Sequence, residues 1–333
     1  MKKTYSKIMM LSVALMISMA SFAETKINGV YYNLDGNTKQ AQVTYNESAP
    51  TASYSYSGAV TIPQVVTYDG KEYSVTSIGE EAFLENRGLT SITIPNSIKS
   101  IGDKAFYGCS ALTAVTIPNS VVSIGEGAFS GCDALTSINI PGSVEQIGMG
   151  AFSACNALSS IIVDKDNTVY DSRGGCNAIV LIANNMLIAG CKGTIIPNTV
   201  SGIGACAFYG CQSLTSISIP NSVRSIGGNA FALCYGLSSI NIPESVISIG
   251  RGAFMLCSSL SSVTINGANT SIMSHAFDGC RSVASVKILA QIPPAIDNMT
   301  FEVYNELHVP AAVVKDYKVA DYWKKFRIVG DKK

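Results

Sequence analysis

The chain has 333 residues, 47% of them hydrophobic, enough to bury a large core without disulfides or metals. Lys plus Arg and Asp plus Glu stand at 23 each, so the formal net charge is zero, with no long run of either sign. That balance argues against an electrostatic nucleic-acid or acidic-membrane partner.

Residues 1–23 read as a secretory signal peptide. Lys2 and Lys3 precede an apolar run from Ile8 to Met19, and Ser21 and Ala23 supply the small residues of a cut after Ala23. The run is shorter than the roughly 20 residues a spanning helix needs, and no other segment is apolar enough to span. No Cys follows the cut, so lipid attachment there is not expected. The mature chain is expected to be secreted or displayed at the cell surface. Residues 24–77, with "GVYYNL", "QAQVTY" and "KEYSVTSI", alternate apolar and polar positions, which predicts a β-rich N-terminal cap.

From residue 78 to residue 288 the sequence repeats. Ile recurs at 78, 101, 124 and 147, and again at 203, 226, 249 and 272, with a step of 23 residues inside each run. Each Ile is followed four residues later by an Ala-Phe pair, from Ala82-Phe83 to Ala276-Phe277. A fixed period of this length predicts stacked coils. In "LTAVTIPNSVVSIGEGAFSGC" a short strand turns Leu112, Val115 and Ile117 inward and Thr113, Ala114 and Thr116 outward. Pro118 ends that strand and Asn119-Ser120 supplies the turn. The stretch through Val121, Ile124, Ala128 and Phe129 is too short and Gly-broken for a long helix, so extended chain with a brief helical turn is expected. One coil cannot bury its own apolar edge. Stacked at about 4.8 Å, neighbouring coils cover it, with Phe over Phe and Ile over Ile.

These residues, Leu-x-x-Ile/Val-x-Ile-Pro followed by Ile-Gly-x-x-Ala-Phe-x-x-Cys, resemble the BspA-like leucine-rich repeat family of bacterial surface proteins. The resemblance covers Ile78 to Ile288 in eight copies. It implies a curved leucine-rich-repeat solenoid with a parallel sheet on its concave side, capped at both ends. It also implies adhesion or host-protein binding and transfers no catalytic residue.

Between Ile147 and Ile203 the spacing is 56 residues, ten more than two coils. The extra length falls at about 164–197. Two apolar runs there, Ala178 to Ala183 and Met186 to Ala189, joined by Asn184-Asn185, predict a hairpin that interrupts the stack. Residues 289–333 are expected to form a C-terminal cap. "ELHVP" repeats the strand once more, and Val313, Tyr317 and Ala320 recur at helical spacing after Pro310, which predicts a terminal helix over Ala311 to Lys325. Trp323 reads as a residue of that cap.

The residues that could carry chemistry do not form a recognisable site. Asp164, Asp166 and Asp171 fail the calcium-loop spacing, because Thr168, Val169 and Gly175 stand where it wants Asp or Asn, Gly and Glu. "GIGACA", Gly202 to Ala207, fits a dinucleotide fingerprint only as one copy of the repeat. Seven of the ten cysteines, Cys109, Cys132, Cys155, Cys211, Cys234, Cys257 and Cys280, share one repeat position that Asn86 fills in the first coil. In-register side chains point in parallel, so a ladder of buried thiols bonded to the turn backbone is expected, not disulfides or a metal. Cys176 and Cys191 are the pair best placed by sequence for a disulfide; Cys206 reads as free and exposed. His275 and His308 sit at outward positions with no catalytic order around them.

The middle outward strand position reads Thr93, Thr116, Asn139, Ile162, Ser218, Asn241, Thr264 and Lys287. Its short hydrogen-bonding members, Thr93, Thr116, Asn139, Ser218, Asn241 and Thr264, are the candidate binding row. The sequence therefore points to an exported, non-enzymatic, monomeric protein without cofactors that binds a host or matrix protein or glycan. Two other readings stay open: an envelope component without a specific ligand, and a β-solenoid carbohydrate-active enzyme. The enzyme would need a row of Asp, Glu or Arg that the repeat lacks.

Overall fold

A computed structural model describes residues 24–45 and 56–332; the expected signal peptide lies outside the described residues. Most 23-residue units contribute two strands at different corners of a coil, and most of these strands pair in parallel with their equivalents in the next coil; residues 214–219 form no strand. The shorter strand is the Ser-Ile pair, so Ile78, Ile101, Ile124 and Ile147 lie side by side, as do Ile203, Ile226, Ile249 and Ile272. The longer strand follows the Leu of the next stretch, as in Ser137–Ile140 beside Ser160–Val163 and Ser239–Ile242 beside Ser262–Ile265. Alternation along it buries Ile138 and Ile140 and exposes Ser137 and Asn139. The result is a parallel β-solenoid with little helix.

The Ala-Phe corner is closed by turns, not by the helical turn expected. Its backbone bonds also run from coil to coil: the Phe106 N–H donates to the Ala128 carbonyl at 2.7 Å and the Phe129 N–H to the Ala151 carbonyl at 2.8 Å. Two residues of each corner are left-handed. One lies three places after the Ile, as Gly127, Gly150 and Gly252 but also Lys104, Asn229 and His275; the other lies two places after the Phe, as Gly131 and Gly279 but also Leu256. A side chain in that region costs about 1–2 kcal/mol. The Gly of Ile-Gly has a different reason: a Cβ on Gly148 would sit 2.3 Å from the Glu126 nitrogen of the coil beneath.

Inside, the phenylalanines stack in two columns, 83-106-129-152 and 208-231-254-277-301, with ring centroids 4.9 to 5.6 Å apart. The columns are separated by the insertion. Strands Ala178–Leu181 and Met186–Gly190 form the predicted antiparallel hairpin about Asn184-Asn185, with Asn185 left-handed. It does not bulge from the surface. It is a layer of the interior, with Ala178, Val180 and Leu187 in the core of the second half and Ile179 and Ala189 in the core of the first. A strand buried on both faces carries a continuous apolar run, which is what the sequence shows there. Leu187 takes the slot of the repeat Ile beside Ile203, and Gly190 leaves its space to the Phe208 ring. On the opposite side of the coil nothing intervenes: the Ala154 N–H donates directly to the Tyr209 carbonyl at 2.8 Å.

Both ends of the stack are covered. At the start, Tyr56 lays its ring against Phe83 and its hydroxyl accepts the Tyr31 N–H and donates to the Thr44 carbonyl. At the finish, Phe301 ends the second column against Trp323 and Phe326. Trp323 is fully buried and its Nε1–H donates to the Pro294 carbonyl at 2.7 Å. The terminal helix is shorter than expected, Val314–Val319, because the chain turns extended at Ala320 and left-handed at Tyr322. Strand Arg327–Asp331, unforeseen in the sequence, then adds to the long-strand sheet beside Glu306–Pro310.

Truncating one ring in mid-column, Phe129→Ala, should cost about 3–5 kcal/mol, because rings above and below hold the cavity open; urea unfolding measures it. The last strand should respond to acid. Hydrogen bonds from His308 and Lys287 hold the Asp331 carboxyl below the usual carboxylate range. A carboxylate depressed in the folded state stabilises above its unfolded value and loses that contribution as pH falls through the folded one. For so exposed a group this is within about 1 kcal/mol. Amides of Arg327–Asp331 should exchange faster at pH 3 than at pH 6 relative to the core, and Asp331→Asn should remove the difference.

Candidate binding surface

The long strands present one outward face across the length of the molecule. One of its rows is serine, with Ser137, Ser160, Ser239, Ser262 and Ser285 in register. Beside it lies the row predicted from the sequence. Asn139 is paired with Ile162, and Asn241, Thr264, Lys287 and His308 are paired in succession. Thr93, Thr116, Asn139, Ser218 and Asn241 are exposed and Thr264 is half-buried. Asn241 accepts a hydrogen bond from Asn266 Nδ2 at 2.8 Å; the side chains of Thr93, Thr116, Asn139 and Ser218 have no partner among the described residues.

Two features of this face depart from the predicted row. Ile195, 75% exposed, belongs to it and was not foreseen; its signature is the repeat's own Ile-Pro ending, here Ile196-Pro197 with Ile196 turned inward. With Ile162, 52% exposed, it makes the middle of the row apolar. The C-terminal end is charged instead. Asp331 accepts from His308 Nδ1 and Lys287 Nζ, each at 2.9 Å, and Arg327 pairs with Glu306. His308 is thus a bonded member of a cross-strand network.

The other candidate residues are absorbed by the fold. Cys109, Cys132, Cys155, Cys234, Cys257 and Cys280 each donate to the carbonyl of the Phe one coil back, at 3.0 to 3.3 Å. Cys211, the first after the hairpin, makes no such bond among the described residues. Asn86 closes the column by accepting the Tyr56 N–H at 2.8 Å and donating to the Leu84 carbonyl. Burial pushes the thiols of Cys109, Cys155 and Cys211 up to about 12. Cys176 and Cys191 are free and buried, contrary to the expected disulfide, because the hairpin turns one into each core. They donate to the Ala178 and Asn177 carbonyls. Cys206 is half-buried and free.

The three insertion acids hold turns. Asp164 caps the Asp166 N–H, Asp166 meets Lys165, and Asp171 holds Arg173 through two contacts at 2.8 Å. Gly202-Ile203 leads into the left-handed Cys206 and an Ala-Phe turn, with no helix to receive a pyrophosphate. Among the described residues no group of three or more His, Cys, Asp or Glu is placed to hold a metal ion. No helix among them is long and apolar enough to cross a membrane.

A capped parallel solenoid, with most of its thiols buried in a ladder and a polar row outside, defines the class of repeat solenoids. Comparison with known proteins places it more closely. A family model described as a BspA type leucine-rich repeat region matches residues 71–173 and 189–307, in six copies. The chain belongs to the BspA-type leucine-rich repeat family. It is similar in fold to a leucine-rich repeat protein from Eubacterium ventriosum, with TM-score 0.59 and 20% identity over 92% of this chain and 84% of that one. A leucine-rich repeat protein from Bacteroides ovatus gives TM-score 0.54 and 23% identity, covering 92% and 91%. The pneumococcal vaccine antigen PcpA gives TM-score 0.52 and 20% identity, covering 94% and 99%. No curated protein sequence matches.

Thiol accessibility checks the ladder. With a maleimide at neutral pH the folded protein should label first at Cys206, with the six bonded repeat thiols at least about 100-fold slower, since buried, protonated thiols react only through opening. All ten should label in denaturant.

Proposed function

We propose that this protein is an exported, non-enzymatic binding protein, adhesin-like, that docks a host or matrix macromolecule on its long-strand face. The observation that carries the reading is the row of Thr93, Thr116, Asn139, Ser218, Asn241 and Thr264, recurring at one repeat position along the stacked coils and mostly unengaged. Preformed hydrogen-bonding groups at coil spacing can make many weak contacts without reorganisation, so affinity comes from extent and shape. Ile162 and Ile195 give such an interface a desolvated centre with a polar surround. Membership in the BspA-type family supports a binding role. The chain acts as a monomer, its two ends covered by their own caps.

Retention at the surface or release is consistent with the predicted leader at residues 1–23. The carbohydrate-enzyme reading gains nothing, since the acids on this face, Glu306 and Asp331, are tied to Arg327, His308 and Lys287. A purely structural envelope role is the rival to be tested. The mature protein should retrieve a macromolecule from host extracellular extract, while a form with all six row residues changed to Lys, its circular dichroism unaltered, should not. Retrieval of nothing above that control discards the reading.

A further inference from the structure

Away from the long-strand face, the Ala-Phe corner of the second half carries two grooves that meet at Met255. One runs beside Met149, Cys206 and His275, and the other beside Leu256, Met299 and Tyr304. Met149, Leu256 and Met299 are 52%, 39% and 40% exposed, so apolar side chains along both grooves are open to solvent, flanked in the outer groove by charged residues. Flexible thioethers of this kind adapt to a partner's side chains and offer little to orient a sugar.

Leu256 adds to the lining from a strained position. It occupies the left-handed place after the Phe, with φ 60, where Gly108, Gly131, Gly210 and Gly279 stand in four other coils and Glu85, Ala154 and Leu233 in three. A branched side chain there is strained, and burial in the core does not account for it. Gly279 leaves it room, since a Cβ at that position would meet Leu256 Cδ2 at 2.5 Å.

The backbone and the rim specify the occupant. The N–H groups of this corner are already used from coil to coil, Leu233 to Met255 at 2.8 Å and Leu256 to Asp278 at 2.7 Å, so an extended peptide could not add as a strand. A helix brings its own satisfied backbone and needs only an apolar seat. The rim carries Arg251, Arg281 and Lys325 against Asp278 and Glu302, and Arg281 already holds Glu302 at 2.9 Å. Arg251 has no ion pair among the described residues. From Met149 to Met299 the grooves cross five coil steps, roughly 25 Å at the spacing of parallel strands, the length of a helix of about 16 residues.

We infer that this methionine-lined groove docks an amphipathic helix of a protein partner, with leucine-like anchors on one face and acidic residues on the other. The test uses the mature protein and a synthetic 16-residue peptide with Leu at helical spacing and Glu elsewhere, followed by fluorescence anisotropy. Two controls are a scrambled-order peptide and one with Lys for Glu. The Leu/Glu peptide should bind at least about tenfold more tightly than either control. Leu256→Gly should lose about tenfold in affinity while its melting temperature does not fall, since it restores the repeat's own residue. Met299→Ser, in the outer groove, should weaken binding similarly if Leu256→Gly proves unstable. Absence of binding, equal binding of the three peptides, or indifference to both substitutions overturns the inference.

Discussion

The structure depends on a register. Each coil passes its backbone hydrogen bonds to the next at a constant offset, at both strands and at the Ala-Phe corner, so a coil has neither a closed ladder nor a buried edge until a neighbour is in place. Once that offset is set at 23 residues, every side chain lies on its own equivalent. Inward positions become uniform because Phe stacks on Phe and six of the seven repeat thiols find the same carbonyl. Outward positions carry no such requirement and are left to vary. Stability and recognition are thereby assigned to different faces of the same residue series.

The hairpin at Ala178–Gly190 shows what a loss of register requires. The short-strand sheet of the first half would end with open N–H groups, and Tyr170 answers by accepting the Ile147 N–H at its hydroxyl. Asn167, buried beside it, donates to the Pro141 and Val144 carbonyls and accepts from the Val169 and Tyr170 N–H groups, so all its hydrogen-bonding capacity is used. Unpaired, those groups would each be a desolvation penalty in the interior. A polar plug on one side and a two-faced apolar layer on the other let two differently phased stacks share one molecule, while the Ala154-Tyr209 bond keeps the corner continuous.

Much of this was legible because the period exposes it. Ile and Phe at fixed steps give the coil, the alternation in "LTAVTIP" gives the outward row, and Asn86 at the cysteine position reveals a site that wants a hydrogen bond. What stayed hidden has no repeat to reveal it. The apolar run Ala178 to Leu181 fits a surface hairpin or a buried one equally well, and only the two packed cores decide which. The disulfide expectation for Cys176 and Cys191 failed for the same reason, since strand alternation sends them to opposite sides once both faces are covered. Ile195 was masked by the changed spacing around it. The terminal strand Arg327–Asp331 was hidden by the helix-like pattern before it, which breaks at Tyr322 for no reason visible in composition.

The same uniformity makes exceptions informative. A polar residue in the outward row is neutral to the stack, because nothing inside depends on it. A left-handed corner position is different: glycine is the unstrained choice there, and each departure must be offset by something. Lys104 has an ion pair with Glu81, and Ala154 continues the ladder across the hairpin. Leu256 also continues the ladder, its N–H donating to the Asp278 carbonyl at 2.7 Å, but its side chain is open to water beside two methionines. In a fold whose interior is fixed by stacking, strain held on the surface without an internal partner points outward, to whatever the surface meets.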